Sequence, residues 1–268
     1  MKTKLIITAH DFGITHSVNE GIVYALKHKN NVFSEVSLLP NASASEDAAQ
    51  IAKSLNISIN LCICLTNYKP ISKGLKTMID GRGNFLRADT QTWNFSCIDK
   101  FSEDEIRQEM DAQWNWFVEK VGKKPSGLVT QKGEHGDPKI LLPFIEKAKK
   151  ERVPIRTPLW QWKENYAAQS YANEENVLHT TAVFIGLFDW KGRYGYDLET
   201  RIDQLISDIK KTGDYSELLL FCGCVDEELM NLTSINWQRG QFLSILDNDT
   251  IIGKIKDSFE LISFKDLK

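Results

Sequence analysis

The sequence predicts an α/β fold in which parallel strands alternate with crossover helices. Short apolar runs alternate along the 268-residue chain with amphipathic stretches of helical length, which is typical of consecutive β/α units. The first apolar run, residues 5–9, ends in His10 and Asp11, and a helical stretch follows. In α/β proteins the carboxyl ends of the strands carry catalytic and ligand-binding groups, so these two side chains indicate a site. The structural alternative is that Asp11 caps the next helix.

Each element is assigned from its local pattern. Candidate strands cover residues 5–9, 32–39, 57–65, 127–130, 154–156, 217–221 and 260–263. Candidate helices cover residues 17–28, 45–55, 103–121, 138–151, 199–211 and 235–246. Two helix starts carry capping signals, because Ser102 with Glu105 has capping-box spacing and Asp137 precedes Pro138 at a first helical turn.

Two long stretches, residues 66–101 and 158–196, do not fit a minimal β/α repeat. Insertions of this length at strand mouths often form the walls or lids of active sites. No repeat, low-complexity tract or linker divides the chain. The sequence therefore predicts a single domain over residues 1–268 with two insertions at the mouth.

Composition excludes several classes of function. The net charge is −3 and no dense cluster of Lys and Arg indicates a nucleic-acid partner. No apolar segment reaches the roughly 18–20 residues of a membrane span. The short N-terminal apolar run does not read as a signal peptide, and five cysteines are an odd number for a disulfide framework. We expect a cytoplasmic protein with no nucleic-acid or membrane partner.

Several stretches match one family pattern in order between residues 4 and 267. They are AHDFGIT with VNEGI at 9–22, NLCICLT at 60–66, the segment before the proline at 125–138, ELLLF onward at 217–229, NWQR at 236–239 and ELIS at 260–263. This pattern resembles the YdjC/ChbG-like carbohydrate deacetylases. The resemblance implies a distorted, incomplete (β/α) barrel of the polysaccharide-deacetylase type. It also implies a divalent metal at the strand mouths and removal of acetyl groups from acetamido sugars.

The resemblance also assigns roles at the site, most of which fall on altered residues. The family's general base, an aspartate, corresponds to His10. Its metal ligands, an aspartate and two histidines, correspond to Asp11, Cys62 and Gln131. Of the family's histidine-rich run only His135 remains, as a second candidate catalytic residue, and a histidine near the last strands is replaced by Phe221.

These replacements predict that metal-dependent deacetylation is lost while a carbohydrate- or metabolite-binding mouth is kept. Hydrolysis of this kind needs a Lewis acid that activates water, and thiol and carboxamide groups are poor ligands for Mg²⁺. We expect no metal or a weakly held divalent ion, Mg²⁺ or Zn²⁺. The alternative is an active N-deacetylase of acetamido sugars with an altered ligand set. A third interpretation is a structural or regulatory homodimer.

Two further possibilities keep chemistry at the mouth. Cys62 and Cys64 lie two apart on a strand, so their side chains share a face, and Cys222 with Cys224 follows another strand. Four thiols converging there would favour Zn²⁺, although buried free cysteines are also common as small apolar residues. Metal-free chemistry would instead use His10, Asp11 and His135, with Cys62 as nucleophile if its pKa were depressed.

Aromatic residues in the second insertion are candidates for sugar binding. Trp160 and Trp162, with Tyr166 nearby, suit stacking on sugar rings, and the alternative is that they anchor the insertion to the barrel. Trp237 lies in the matched C-terminal stretch, and we expect it to be structural.

Overall fold

The computed structural model describes residues 2–89, 94–157, 172–186 and 198–268. Within them one sheet contains seven strands: β1 (Thr3–Phe12), β2 (Glu35–Leu38), β3 (Ser58–Ile63), β4 (Leu128–Thr130), β5 (Val183–Ile185), β6 (Ser216–Leu220) and β7 (Phe259–Leu261). The order across the sheet is β4-β3-β2-β1-β6-β5, and β7 pairs with the beginning of β1. Every described strand pair is parallel, which confirms the predicted α/β class.

The burial of the central strand, β1, explains the continuous apolar run at residues 5–9 of the sequence. β1 pairs with β2 on one side and with β6 on the other, and it is buried from Leu5 to its end. A parallel strand covered on both faces has a continuous apolar sequence, without the alternation of a half-exposed strand. Leu5, Ile6 and Ile7 accordingly lie in the main hydrophobic core with no exposed surface.

Helices follow most of the strands. The α-helices of the described residues used below are α1 (His16–Lys27), α2 (Ser45–Ser54), α3 (Glu103–Val121), α4 (Pro138–Glu151), α5 (Leu198–Lys211), α6 (Glu227–Leu232), α7 (Trp237–Ile245) and α8 (Asp249–Ser258). Thr15 caps α1 by accepting a hydrogen bond from the Val18 amide, so Asp11 is not that helix's cap. None of the described helices combines the length and apolar character needed to cross a membrane.

The two predicted capping signals have different outcomes. Asp137 caps α4 by accepting from the Lys139 amide, with Pro138 in the first turn, as predicted. Ser102 occupies the cap position of α3 but makes no side-chain capping hydrogen bond. The Glu105 carboxylate instead accepts from residues 76 and 77, which ties the preceding loop to the helix. The capping-box prediction was therefore wrong because a tertiary contact competes for the Glu105 side chain.

Four elements differ from the sequence assignments. Strand β5 falls within residues 158–196, which the sequence assigned to an insertion, and its three residues are too short for a clear periodic signal. Residues 154–156 form no named strand, and Ile155 makes isolated bridges. Helices α6 and α8 were not predicted, although Asp226 and Asn248 cap them with side-chain hydrogen bonds.

Candidate functional site

A cavity of about 790 Å³ opens at the carboxyl ends of the parallel strands. Its wall includes the ends of β1 and β6, the segment after β4 and the start of α7. The residues used below that line it are His10, Asp11, Tyr68, Gln131, Arg156, Phe221, Trp237 and Arg239. A pocket of this size at this edge of a parallel sheet is where α/β folds bind ligands.

An irregularity in β1 brings His10 and Asp11 to the same side. Neighbouring side chains in a regular strand point to opposite faces. Here the pairing with β2 shifts between Ala9 and Phe12, and Asp11 has a positive φ of 67°. As a result His10 Nδ1 and Asp11 Oδ1 are 2.9 Å apart, and both residues are buried. The following Gly13 has φ 108°, and a Cβ there would lie 2.9 Å from the Leu39 carbonyl oxygen.

Arg239 forms a buried ion pair with Asp11. Its Nη2 donates to Asp11 Oδ2 at 2.6 Å, and its Nε donates to the carbonyl oxygen of Ile235 at 2.8 Å. Arg239 is 1% exposed. Burial alone would raise the pKa of the Asp11 carboxyl, but the adjacent His10 and Arg239 outweigh it and hold the pKa well below its usual range. Asp11 is therefore an ionised carboxylate that is paired with the Arg239 guanidinium.

A second buried arginine supports His10 from the other side. Arg156 Nε and Nη2 donate to the two carboxylate oxygens of Glu217 at 2.7 and 2.8 Å. Its Nη1 is 3.4 Å from His10 Nε2. Because a guanidinium only donates, His10 Nε2 accepts this contact and its Nδ1 carries the proton shared with Asp11. Thr8 also donates to Glu217, so the acid is fixed in place.

Gln131 and Cys62, which the resemblance aligns with metal ligands, contact Asp11 and His10. Gln131 Nε2 is 3.4 Å from both Asp11 Oδ1 and the Tyr68 hydroxyl, and its Oε1 accepts from the Cys64 thiol at 3.2 Å. The Sγ of Cys62 is 3.9 Å from His10 Nε2. Burial raises the pKa of the Cys62 thiol well above its usual value, and Asp11 adds to that effect. Cys62 is therefore a protonated thiol at neutral pH.

This set of donors does not fit a divalent metal ion. The Asp11 carboxylate is bonded to a guanidinium, Gln131 presents its amide nitrogen to Asp11, and Cys62 is held as a thiol. Hard cations such as Mg²⁺ need several oxygen ligands, and Zn²⁺ needs deprotonated thiols or free imidazole nitrogens. Across the described ranges no three His, Cys, Asp or Glu side chains come together as a metal-binding group, and this includes Cys64, Cys222 and Cys224.

His135 lies behind the site and does not line the cavity. Its Nε2 is 3.1 Å from the Arg156 carbonyl oxygen and its Nδ1 is 2.6 Å from the Thr130 hydroxyl. Burial, with the charge of Arg156, lowers the pKa of His135 to about 3. The ring is thus a neutral imidazole with both nitrogens engaged, and it fixes the backbone that carries Arg156.

Three of these site residues, Arg156, Glu217 and Arg239, were not predicted from the sequence. A weak signal existed for two of them, since Glu217 is a charge within an apolar strand and Arg239 lies in a matched stretch. Trp160 and Trp162, the predicted sugar-binding pair, lie outside the described residues. Trp237, expected to be structural, is 38% exposed and lines the cavity.

Comparison with known proteins places this chain in a family. The family model described as YdjC-like protein matches residues 4–251. A carbohydrate deacetylase of Clostridium beijerinckii is 29% identical over 269 residues, covering 98% of this chain and 100% of that protein.

Two solved structures share the fold. A protein of Enterococcus faecalis V583 with a suggested role in cellobiose-phosphate cleavage has a TM-score of 0.82 at 23% identity, over 98% of this chain and 97% of that one. A peptidoglycan N-acetylglucosamine deacetylase has a TM-score of 0.50 at 13% identity, over 97% of this chain and 86% of that one. The fold is therefore the curled parallel-sheet half-barrel of the polysaccharide deacetylases, as predicted. The chain belongs to the YdjC family.

Proposed function

We propose that this protein binds an acetamido-bearing carbohydrate at the strand mouths and has lost metal-dependent deacetylation. The observation that carries the proposal is the 2.6 Å ion pair between Arg239 and Asp11. The resemblance aligns Asp11 with the family's metal-binding aspartate, and here the Asp11 carboxylate is bonded to the Arg239 guanidinium.

The energetics of burial make this exchange hard to reverse. A metal ion would have to displace the guanidinium from Asp11 and leave Arg239, which is 1% exposed, without its carboxylate. Breaking a buried ion pair by removing one partner costs about 3–5 kcal/mol. The neutral Gln131 amide and the Cys62 thiol offer little charge to offset that cost.

The residue that replaces the family's histidine near the last strands also supports loss of the reaction. Phe221 occupies it, with its ring centroid 5.4 Å from the His10 ring and 5.2 Å from the Arg239 guanidinium. A phenyl ring neither donates a proton to a leaving amine nor stabilises an oxyanion by hydrogen bonding. Loss of acid–base participation alone typically costs about 10²–10⁴ in rate.

Retention of a carbohydrate ligand is supported by the cavity and by the relatives. The cavity has the volume of a site for a small ligand, and charged, amide and aromatic side chains meet in it. The Clostridium beijerinckii relative, which matches this chain end to end, is a carbohydrate deacetylase. A binding site can outlast the chemistry because its polar contacts do not depend on the metal.

The test combines metal content, binding and turnover on the same preparation. Protein purified without chelator or nickel resin is analysed by mass spectrometry for bound metals. The same material is titrated calorimetrically with N-acetylglucosamine and N,N′-diacetylchitobiose, with glucosamine as the matched ligand lacking the acetyl group. We expect no stoichiometric metal, binding of an acetylated sugar, and no acetate release. One equivalent of metal with acetate release would overturn the proposal.

A second candidate function is metal-free hydrolysis, and one contact favours it. Cys62 Sγ, His10 and Asp11 lie in the order nucleophile, base and carboxylate, with separations of 3.9 and 2.9 Å. Acetate release that survives EDTA and is abolished by Cys62→Ser would establish this function. The complete burial of Cys62 and the raised pKa of its thiol argue for the binding protein.

A further inference from the structure

We infer that the hydroxyl group of Tyr68 donates a hydrogen bond to the acetyl carbonyl oxygen of the bound sugar and so makes the site selective for acetamido sugars. The inference rests on the proposed function, because it takes the ligand to be an acetamido-bearing carbohydrate. Tyr68 lines the cavity and is half-buried. It would be a specificity-determining residue at the strand mouth.

The backbone of Tyr68 lies in a conformation that a tyrosine rarely adopts. Its φ is 62°, in the left-handed region that favours glycine. The Phe85 amide donates to the Tyr68 carbonyl oxygen at 2.9 Å. Asn41 Nδ2 donates to the next carbonyl oxygen, that of Lys69, at 3.0 Å. Backbone strain of this kind persists where the surrounding structure fixes the conformation, and such residues cluster at ligand-binding and active sites.

Two side chains of α3 anchor the same loop. Glu109, which has no exposed surface, accepts from the amides of residues 71 and 72 at 2.9 and 2.8 Å. Gln113, one turn further along the helix, bonds to the amide and the carbonyl oxygen of Cys64 at 3.0 and 2.7 Å. The segment that carries Tyr68 is therefore held to α3 on both sides of the tyrosine. A side chain on a fixed backbone loses less entropy when a ligand binds to it.

The Tyr68 hydroxyl accepts a hydrogen bond and still has its own proton to donate. Gln131 Nε2 lies 3.4 Å from the Tyr68 hydroxyl oxygen and 3.4 Å from Asp11 Oδ1. A carboxylate only accepts, so the amide NH₂ of Gln131 is the group beside Asp11, and it donates to both oxygens. No acceptor for the phenol proton is found among the described residues. Because a phenol keeps its proton at neutral pH, Tyr68 can donate to a ligand.

The place of this donor favours the acetyl group over the hydroxyl groups of the sugar. The resemblance aligns Asp11 and Gln131 with metal ligands, and the metal of an amide hydrolase polarises the carbonyl oxygen of the bond that is cleaved. The Tyr68 hydroxyl contacts Gln131, so an acetyl carbonyl bound beside these residues meets a phenol donor. A neutral donor binds that oxygen without the charge that hydrolysis requires. Recognition of the acetyl group can therefore remain after catalysis is lost.

The experiment compares the wild type with Tyr68→Phe, which removes the hydroxyl and keeps the ring. Tyr24→Phe is the matched control, because Tyr24 is 50% exposed on α1 and does not line the cavity. Affinities for N-acetylglucosamine and N,N′-diacetylchitobiose are measured by calorimetry. We expect about twofold to tenfold weaker binding for Tyr68→Phe, the effect of one hydrogen bond, and no change for Tyr24→Phe.

Carbon NMR of the ligand separates a direct hydrogen bond from a structural effect. The same sugars are labelled with ¹³C at the acetyl carbonyl and measured with excess protein. A hydrogen bond to the oxygen moves the carbonyl resonance downfield, so the bound resonance should lie further upfield in Tyr68→Phe than in the wild type. Unchanged affinity, or weaker binding without this difference in resonance, would overturn the inference and leave the proposed function standing. Failure of the wild type to bind either acetylated sugar would overturn both.

Discussion

Arg239 Nη2 lies 2.6 Å from Asp11 Oδ2, in a contact between residues 228 positions apart in the chain. The resemblance aligns Asp11 with a metal-binding aspartate of the family, and its carboxylate is buried. A guanidinium carries one positive charge and five donors in a fixed plane, so it neutralises the carboxylate and bonds to it directly. The negative charge of Asp11 is therefore balanced by Arg239.

The first prediction concerns the stability contributed by this pair. Arg239→Ala leaves the Asp11 carboxylate buried without its cation, so the free energy of unfolding should fall by about 3–5 kcal/mol. Arg107→Ala is the control, because Arg107 pairs with Glu103 and Glu146 on the surface at 3.1 and 3.0 Å. A surface pair contributes at most about 1 kcal/mol. Urea unfolding of the three proteins tests this, and equal losses in the two variants would contradict it.

The second prediction concerns metal binding in a rebuilt site. Cys62→His with Gln131→His introduces the two histidines that the resemblance implies at these positions, but Arg239 still pairs with Asp11, so this double variant should bind Zn²⁺ weakly. Adding Arg239→Gln frees the carboxylate, and the triple variant should bind about one equivalent in a dialysis experiment. Tight binding by the double variant would show that the guanidinium does not compete with the metal.

The contrast between Asp11 and Arg239 shows what the sequence can and cannot predict. Asp11 was identified because it follows an apolar run, and that signal is local. The partnership with Arg239 depends on how α7 packs against β1, and no local pattern encodes it. The His10–Asp11 hydrogen bond could not be predicted either. It depends on the positive φ of Asp11, because neighbouring side chains of a regular strand point to opposite faces.

The helices and strands also divide into those that a local sequence pattern predicts and those that it does not. Helices α3 and α4 were predicted to the residue because each has a long amphipathic pattern. Strand β5 was missed because its three residues give too few positions for a period to show. Glu105 was assigned to a cap because its spacing fits, and the structure uses it in a contact with Thr77.

The third prediction concerns the reactivity of the cysteines. Cys224 is exposed, whereas Cys62 and Cys222 are completely buried, and burial raises the pKa of the Cys222 thiol to about 12. Alkylation needs an accessible thiolate, so iodoacetamide at pH 8 should modify Cys224 first and leave Cys62 unmodified in the folded protein. Peptide mass spectrometry over a time course measures this. Rapid modification of Cys62 would instead indicate a thiolate activated by His10 and would favour the metal-free hydrolase.

The fourth prediction concerns Glu35, a buried carboxyl at the start of β2. Burial raises its pKa to about 8 from an ordinary value of 4.5, and the charge of Glu217 adds to the rise. Ser126 bonds to one oxygen of Glu35, and the Phe264 amide donates to the other at 3.1 Å. The group therefore keeps its proton in the folded protein at neutral pH and loses it in the unfolded chain.

The sign of the pH dependence follows from that difference in bound protons. Between pH 4.5 and about 8 the folded state holds one proton more at Glu35 than the unfolded state, so this group lowers stability as the pH rises. The limiting slope is about 1.4 kcal/mol per pH unit. Above pH 8 both states are ionised and the effect of Glu35 levels off.

A glutamine at this position should remove the slope and keep the contacts. The amide nitrogen of Glu35→Gln can donate to the Ser126 hydroxyl while its oxygen accepts from the Phe264 amide. Urea unfolding between pH 5.5 and 8.5 should therefore give a flatter stability profile for Glu35→Gln than for the wild type, with the largest gain in stability near pH 8. Glu46→Gln, an exposed change on α2, is the control and should leave the profile unchanged. Parallel profiles for the wild type and Glu35→Gln would mean that Glu35 is already ionised in the folded protein, and would contradict the prediction.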